Sequence, residues 1–259
     1  MPDNAQQPND FGDKPGVAFV TGGTGGLGSA VVRLLAARGS TVAFTYRKNV
    51  AEAESLLADI GGGAAYPLDL TDDAAIADVR IQLLERFGSV HTIVHAAGPH
   101  VPMIHLSQVT PADFRTQLNE DAGALFALLQ PLLPDLRASQ GNIVVVSTAA
   151  THRYPVRDGL SAVPKGAVDS MVRALAAEEG RFGIRVNAVG PGMITDGMAI
   201  RLMGSGELDE RALEITRANI PMRRFGRAAD IAEAVCFLAS DRAGFISGQF
   251  LNVDGGYTV

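Results

Sequence analysis

The sequence predicts an α/β domain in which a doubly wound parallel sheet carries helices on both faces. Three observations lead to it. From residue 16 onward, short β-branched runs alternate with longer segments of helical spacing. That order demands crossover connections, which put helices over both faces of a parallel sheet. The run TGGTGGLG, residues 21–28, falls between the first such strand and the first such helix. Neither a Pro/Gly/Ser-rich linker nor a repeat of roughly 20–50 residues divides the 259 residues, so a single domain accounts for them.

The elements follow in chain order. Residues 1–14 are polar, lack the apolar stretch of a signal peptide, and read as a mobile tail ahead of a domain over 15–259. Residues 17–20 form the first buried strand and 29–37 the first helical pattern. Strands then fit 41–45, 65–68, 92–95, 143–146, 185–188 and 250–253, with helices between them. The most apolar helical segment, 122–137, is broken by Pro131 and Pro134. No apolar run approaches the roughly 20 residues of a membrane span. After Lys165, the spacing of Val168, Met171, Val172 and Leu175 buries one helix face.

Composition narrows the function classes. Hydrophobic residues make up 47% of the chain, enough for a sizeable core. Basic minus acidic residues give 22 − 28 = −6, with no basic stretch, which excludes a nucleic-acid binder that works through phosphate contacts. The single cysteine, Cys236, cannot form an internal disulfide and points to a reducing compartment, by default the cytoplasm. Its setting, Ala-Val-Cys-Phe-Leu, reads as helix core rather than as a reactive thiol.

The glycine run carries the first chemical signal. Gly22, Gly25, Gly26 and Gly28, with Thr24 and Leu27 between them, let the backbone turn tightly and approach a pyrophosphate. The helix that follows points free N–H groups and its positive end at the phosphates. At the end of the second strand an acid would accept from the 2′-hydroxyl of NAD. Here stand Thr45, Tyr46, Arg47 and Lys48, without an acid. Two cations suit the 2′-phosphate of NADP instead, so NADP(H) is expected over NAD(H). A solvated surface pair is the alternative.

At this point the sequence resembles a short-chain dehydrogenase/reductase, over almost the whole chain after residue 14. The spacing of Thr21, Gly22, Gly26 and Gly28 is similar to that family's cofactor loop. Asp69-Leu70 matches its adenine-side motif, and His95-Ala96-Ala97-Gly98 stands where the family usually has Asn-Asn-Ala-Gly. Asn187 to Gly192, including Pro191, matches the segment after the sixth strand. By the same resemblance Ile194 and Thr195 flank the nicotinamide carboxamide. Phe237-Leu-Ala-Ser and Val253-Asp-Gly-Gly256 are also typical. The nearest flavour is the 3-oxoacyl-carrier-protein reductase type. The resemblance implies a Rossmann-type fold, a dinucleotide cofactor, a small-molecule substrate, and a homotetramer or dimer built through 113–130, 161–180 and the last strand.

The family's catalytic set is Asn, Ser, Tyr and Lys, with the tyrosine four residues before the lysine. With Lys165 as the lysine, the tyrosine position holds Ser161 and the serine position Thr148, with Ser147 just before it. The asparagine position falls on Asp121, with Asn119 two residues away. The set therefore reads Asp121, Thr148, Ser161, Lys165. Threonine keeps a hydroxyl that polarises a carbonyl. Aspartate adds a charge that Lys165 can balance. Serine is far less acidic than a phenol, and general acid–base catalysis contributes roughly 10²–10⁴-fold. Tyr154 and His152 lie in the loop that normally lines the substrate cleft and offer an alternative donor, as does ordered water.

Other chemistries fit poorly. Ser161 to Lys165 is one residue longer than S-x-x-K, and no G-x-S-x-G elbow occurs. His100 and His105 are near each other but lack metal-site spacing. Residues 193–219 would form a substrate lid by resemblance. Met193, Met198, Ile200, Leu202 and Met203 in it suit an apolar substrate, or simply pack the lid. Two functions remain. One is an oxidoreductase of a C=O or conjugated C=C bond with a rewired proton donor. The other is a non-catalytic dinucleotide-binding subunit.

Overall fold

Parallel strands covered on both faces are rich in apolar and β-branched residues, and this chain forms seven strands. They are β1 Val17–Thr21, β2 Val42–Tyr46, β3 Ala64–Pro67, β4 Val90–His95, β5 Asn142–Val146, β6 Arg185–Pro191 and β7 Phe250–Val253. A computed structural model of the chain describes residues 9–195 and 210–259. In it these strands form one sheet in the order β3-β2-β1-β4-β5-β6-β7, every pair parallel.

Helices fill the crossovers: α1 Gly26–Ala37, α2 Val50–Asp59, α3 Asp73–Phe87, α4 Pro111–Leu118, α5 Ala124–Ser139, α6 Gly159–Glu179, α7 Glu210–Asn219 and α8 Ala228–Ala239. Alternation along each strand sends side chains to two cores. Phe19, Ile143 and Val145 join Leu83 of α3, Leu128 and Leu132 of α5 and Val168 of α6 on one face. Val20, Val144 and Val146 join Val32 of α1, Leu56 of α2 and Val235 of α8 on the other. The result is the expected single-domain, Rossmann-type three-layer arrangement.

The strand order reverses between β1 and β4, where Thr21 lies beside His95. Loops leaving these two strands diverge to opposite faces and leave a crevice at their carboxyl ends, the usual ligand position in open α/β sheets. The loops after β5 and β6 open at the same edge. Topology alone therefore gathers residues from far apart in sequence.

Two expectations need correction. The prolines do not break the apolar segment: α5 runs through Pro131 and Pro134. Each proline costs about 3 kcal/mol in a helix interior, but the stripe Leu125, Leu128, Leu129, Leu132 and Leu136 is fully buried. At about 1.5–3 kcal/mol per buried side chain, that stripe offsets both. The expected tail over 1–14 is also too long. Phe11 is 1% exposed and lies against His91 with ring centroids 6.3 Å apart, while Asp10 pairs with Arg38 at 3.1 Å. Residues 10–14 are part of the packed domain, and 1–8 lie outside the described residues.

Cys236 sits in the core of α8 as expected, 0% exposed, and burial pushes its thiol up to about 12. No helix among the described residues is long and apolar enough to cross a membrane.

Phe11→Ala is expected to lower unfolding free energy by about 3 kcal/mol, read by urea denaturation. A loss below about 0.5 kcal/mol would mean the segment contributes no packing.

Candidate active site

The glycine turn is held from behind by the second strand. Gly22 donates its N–H to Thr45 Oγ1 at 3.1 Å, and Gly23 donates to the Thr45 carbonyl at 2.8 Å. Gly22 has φ +69°, and a Cβ there would lie 2.8 Å from Ala97 Cα, so only glycine fits between the loops. A Cβ on Gly28 would meet the Gly22 carbonyl oxygen at 2.1 Å, so this glycine lets α1 close onto the turn. Helix α1 opens after Gly25 with no side-chain cap and no acid in its first turn. Its N–H groups and positive end are thus presented to the crevice.

A groove of about 310 Å³ runs from this turn across the sheet edge. Gly22, Thr24 and Gly25 border it at one end, Tyr46 and Arg47 at another, and Asp69, Leu70, Ala96, Ala97 and Gly98 along its side. Lys48, Gly26 and Leu27 are not among its lining residues; Lys48 is exposed on the surface nearby. Thr71 donates to Asp69 from its backbone N–H at 3.0 Å and its hydroxyl at 2.7 Å. Those bonds hold the Asp69 carboxyl below the usual carboxylate range.

At the centre, Lys165 Nζ donates to Asp121 Oδ1 at 2.8 Å, with side chains 12% and 1% exposed. The widened helical turn Asn119–Gly123 makes this possible: it turns Asp121 inward and leaves Asn119 exposed. Of the two sequence alternatives, Asp121 is the one that meets Lys165. Asp121 Oδ2 is buried with no hydrogen-bond partner among the described residues. His95 is buried beside them, its Nδ1 3.0 Å from Thr21 Oγ1. Burial, then the charge of Lys165, pushes its imidazole down to about 3, so it is neutral.

Beyond the pair lies a cavity of about 700 Å³. Thr148 and Ser161 line it together, with Pro191 at the end of β6 and Gly192, Met193 and Ile194 just after it. Val101, Met103, Val156, Ile215 and Ile220 make the remaining wall largely apolar. Thr195 is tied to Gly226 by its backbone N–H at 2.9 Å. Met198, Ile200, Leu202 and Met203 of the expected lid lie outside the described residues. Ser147 is turned away: its hydroxyl donates to the buried Asp169 at 2.6 Å. Thr148, which accepts from the Ala150 N–H at 3.2 Å, is therefore the hydroxyl on the cavity side.

Tyr154 is not brought to this cavity. It is 64% exposed and borders a separate depression of about 200 Å³ with His152, Asp169 and Phe250. The His152 ring lies 4.4 Å from that of Phe250. Residues 152 and 154 of this loop lie toward the last strand, whereas Pro155, Val156 and Asp158 line the larger cavity.

One acidic lining residue is absent from the sequence-based expectations. Asp158, three residues before Ser161, borders the cavity, and burial pushes its carboxyl up to about 6. An acid just ahead of a helix reads from sequence as a cap, which hides it. Here its side chain makes no capping bond.

The chain is similar to known dehydrogenases and reductases. Residues 22–258 match the family model described as enoyl-(acyl carrier protein) reductase. The chain is 35% identical over 242 residues to the L-fucose dehydrogenase of Mus musculus, covering 93% of this chain and 87% of that one. It is 32% identical over 250 residues to versicolorin reductase 1 of Dothistroma septosporum, covering 93% and 95%. A double mutant of a Serratia marcescens short-chain dehydrogenase/reductase superposes with a TM-score of 0.85 at 28% identity, covering 94% of this chain and 98% of that one.

Two outcomes follow. Lys165→Met, which leaves the Asp121 charge buried alone, is expected to cost about 3 kcal/mol in urea denaturation at pH 7. Adding Asp121→Asn should restore most of it, and equal stability of single and double variants would deny the coupling. The raised folded pKa of Asp158 contributes stability that is full below about 4 and lost as pH rises through about 6. Asp158→Asn should therefore gain about 2–3 kcal/mol at pH 8, a gain that shrinks as pH falls from 6 to 4; a gain independent of pH would contradict it.

Proposed function

The chain belongs to the short-chain dehydrogenase/reductase family, and from that premise we propose an NADP(H)-dependent oxidoreductase acting on a C=O or conjugated C=C bond of a small apolar or acyl-type substrate. Family membership implies a nicotinamide dinucleotide. The residues present fit it: the uncapped start of α1 and the glycine-only approach of Gly22 to Ala97 lie at the groove it needs. When bound, its nicotinamide supplies or accepts the hydride.

The observation that carries the proposal is the placement of α6. It brings Ser161 to the apolar cavity and, one turn later, Lys165 to Asp121 beside the glycine groove. Thr148 and Ser161 would hold the substrate oxygen by hydrogen bonds, and Lys165 would hold the nicotinamide ribose. Arg47, at the groove rim beside Asp69, would pair with a 2′-phosphate, and Lys48 would add longer-range attraction. The apolar wall excludes water and favours a hydrocarbon or acyl portion. We also infer a homo-oligomer, because Leu118, Phe126, Val163 and Leu251 are exposed on the segments expected to form its interfaces. We infer a cytoplasmic setting, which the single cysteine of the chain supports.

Titration with NADPH and NADH, read by nicotinamide fluorescence, tests the proposal, since the chain has no tryptophan to interfere. NADPH should bind more tightly. Arg47→Ala should weaken NADPH about tenfold while leaving NADH unchanged. Binding of neither dinucleotide at millimolar concentration would overturn the oxidoreductase reading. Binding without turnover of any ketone or enone would favour the non-catalytic subunit.

A further inference from the structure

We propose that Asp158 is the proton donor of this site, delivering a proton from its carboxyl to the oxygen of a substrate held by Thr148 and Ser161. The proposal rests on the oxidoreductase reading and deepens it. The family's phenol is gone, Ser161 is too weak an acid to replace it, and Tyr154 opens on another depression. Asp158 shares the cavity with both hydroxyls.

Its position is fixed by backbone, not by its side chain. The Asp158 carbonyl accepts from the N–H of Ser161 at 3.0 Å and of Ala162 at 2.9 Å, which places it one helical turn before Ser161. An aspartate here would ordinarily bond the free N–H groups of the helix start. This one makes no such bond, and the residue lines the cavity.

Among the described residues, nothing charged stabilises its anion. Of the others lining the cavity, the titratable one is Tyr257. Arg157, its neighbour, donates instead to the Met103 carbonyl at 2.9 and 2.6 Å. Arg153 lies 4.4 Å over the Tyr257 ring and donates to the Tyr257 carbonyl at 2.6 Å. From α7, Arg217 lies 5.1 Å over Phe225. Desolvation without a counter-charge keeps a carboxyl protonated toward neutral pH, where an acid catalyst is effective.

The step balances. The carboxyl O–H bond breaks and its electron pair stays on the carboxylate. The proton forms an O–H bond with substrate oxygen made basic by a hydride from the reduced nicotinamide, the reductant class this groove fits. Solvent returns the proton to Asp158. In oxidation the carboxylate accepts the proton of the alcohol.

The test uses the full chain labelled with ¹³C-aspartate, together with Asp158→Asn and Asp158→Glu variants. In the dinucleotide-free protein the carboxyl signal lost in Asp158→Asn should titrate near 6. Asp158→Asn should lower kcat for reduction roughly 10²–10⁴-fold and abolish the fall in rate above that pH. Asp158→Glu should recover part of the rate, and NADPH affinity should be unchanged in both. A signal titrating near 4, or Asp158→Asn turning over within about twofold of the parent with the same pH profile, would overturn the assignment and leave the oxidoreductase reading standing. If the parent binds NADPH yet reduces no ketone or enone, the reading fails and the assignment fails with it.

Discussion

The ion pair between Lys165 and Asp121 is the constraint around which the site is arranged. Two charges so deeply buried are tolerated only as partners, because each alone would lose its hydration without compensation. The pair therefore fixes where α6 and the wide turn before α5 sit relative to each other. Everything functional is measured from that junction. Ser161 lies one helical turn away on the cavity side, Gly98 borders the groove on the other, and His95 is kept neutral partly by the ammonium. A neutral asparagine at 121 would leave Lys165 a free cation in the site. The aspartate gives that cation a buried partner instead.

The fold supplies the rest of the convergence without special contacts. Parallel strands end at a common edge, so residues from the loops after β1, β2, β4, β5 and β6 meet although they span most of the chain. The two layers of helices then divide the labour. Helix α1 offers its start to the groove, and α6 runs past both groove and cavity. Stacked ion pairs brace that second layer: Arg80 binds Asp135 at 2.6 and 2.8 Å, and Arg137 binds Glu179 at 2.7 Å through both oxygens.

Much of this could be read in the amino acids. Strand positions, the two-sided cover and the glycine turn follow from local rules that depend on near neighbours, whereas Asp121 as a partner for Lys165, 44 positions away, comes from the family resemblance. The parts that could not be read depend on distant ones. Whether α5 survives Pro131 and Pro134 is decided by a leucine stripe whose worth depends on what covers it. Phe11 looks like part of a polar tail because its partner, His91, is 80 residues away. Tyr154 and Asp158 stand only four positions apart in one loop. The direction of that loop sends one to the surface and the other to the cavity. Asp158 was hidden for a further reason: an acid before a helix has an ordinary structural use, and only the absence of the capping bond shows that it is not employed that way.

The burial of Cys236 has a practical consequence. A thiol inside α8 whose ionised form is suppressed near neutral pH does not react with alkylating probes or exchange disulfides. With no second cysteine in the chain, the protein behaves toward such reagents as though it had none. A single cysteine introduced at the cavity mouth would therefore carry a spin label, a fluorophore or a tethered fragment without background. Fragments captured there by disulfide exchange would select directly for the shape of the pocket, with no assumption about the natural substrate.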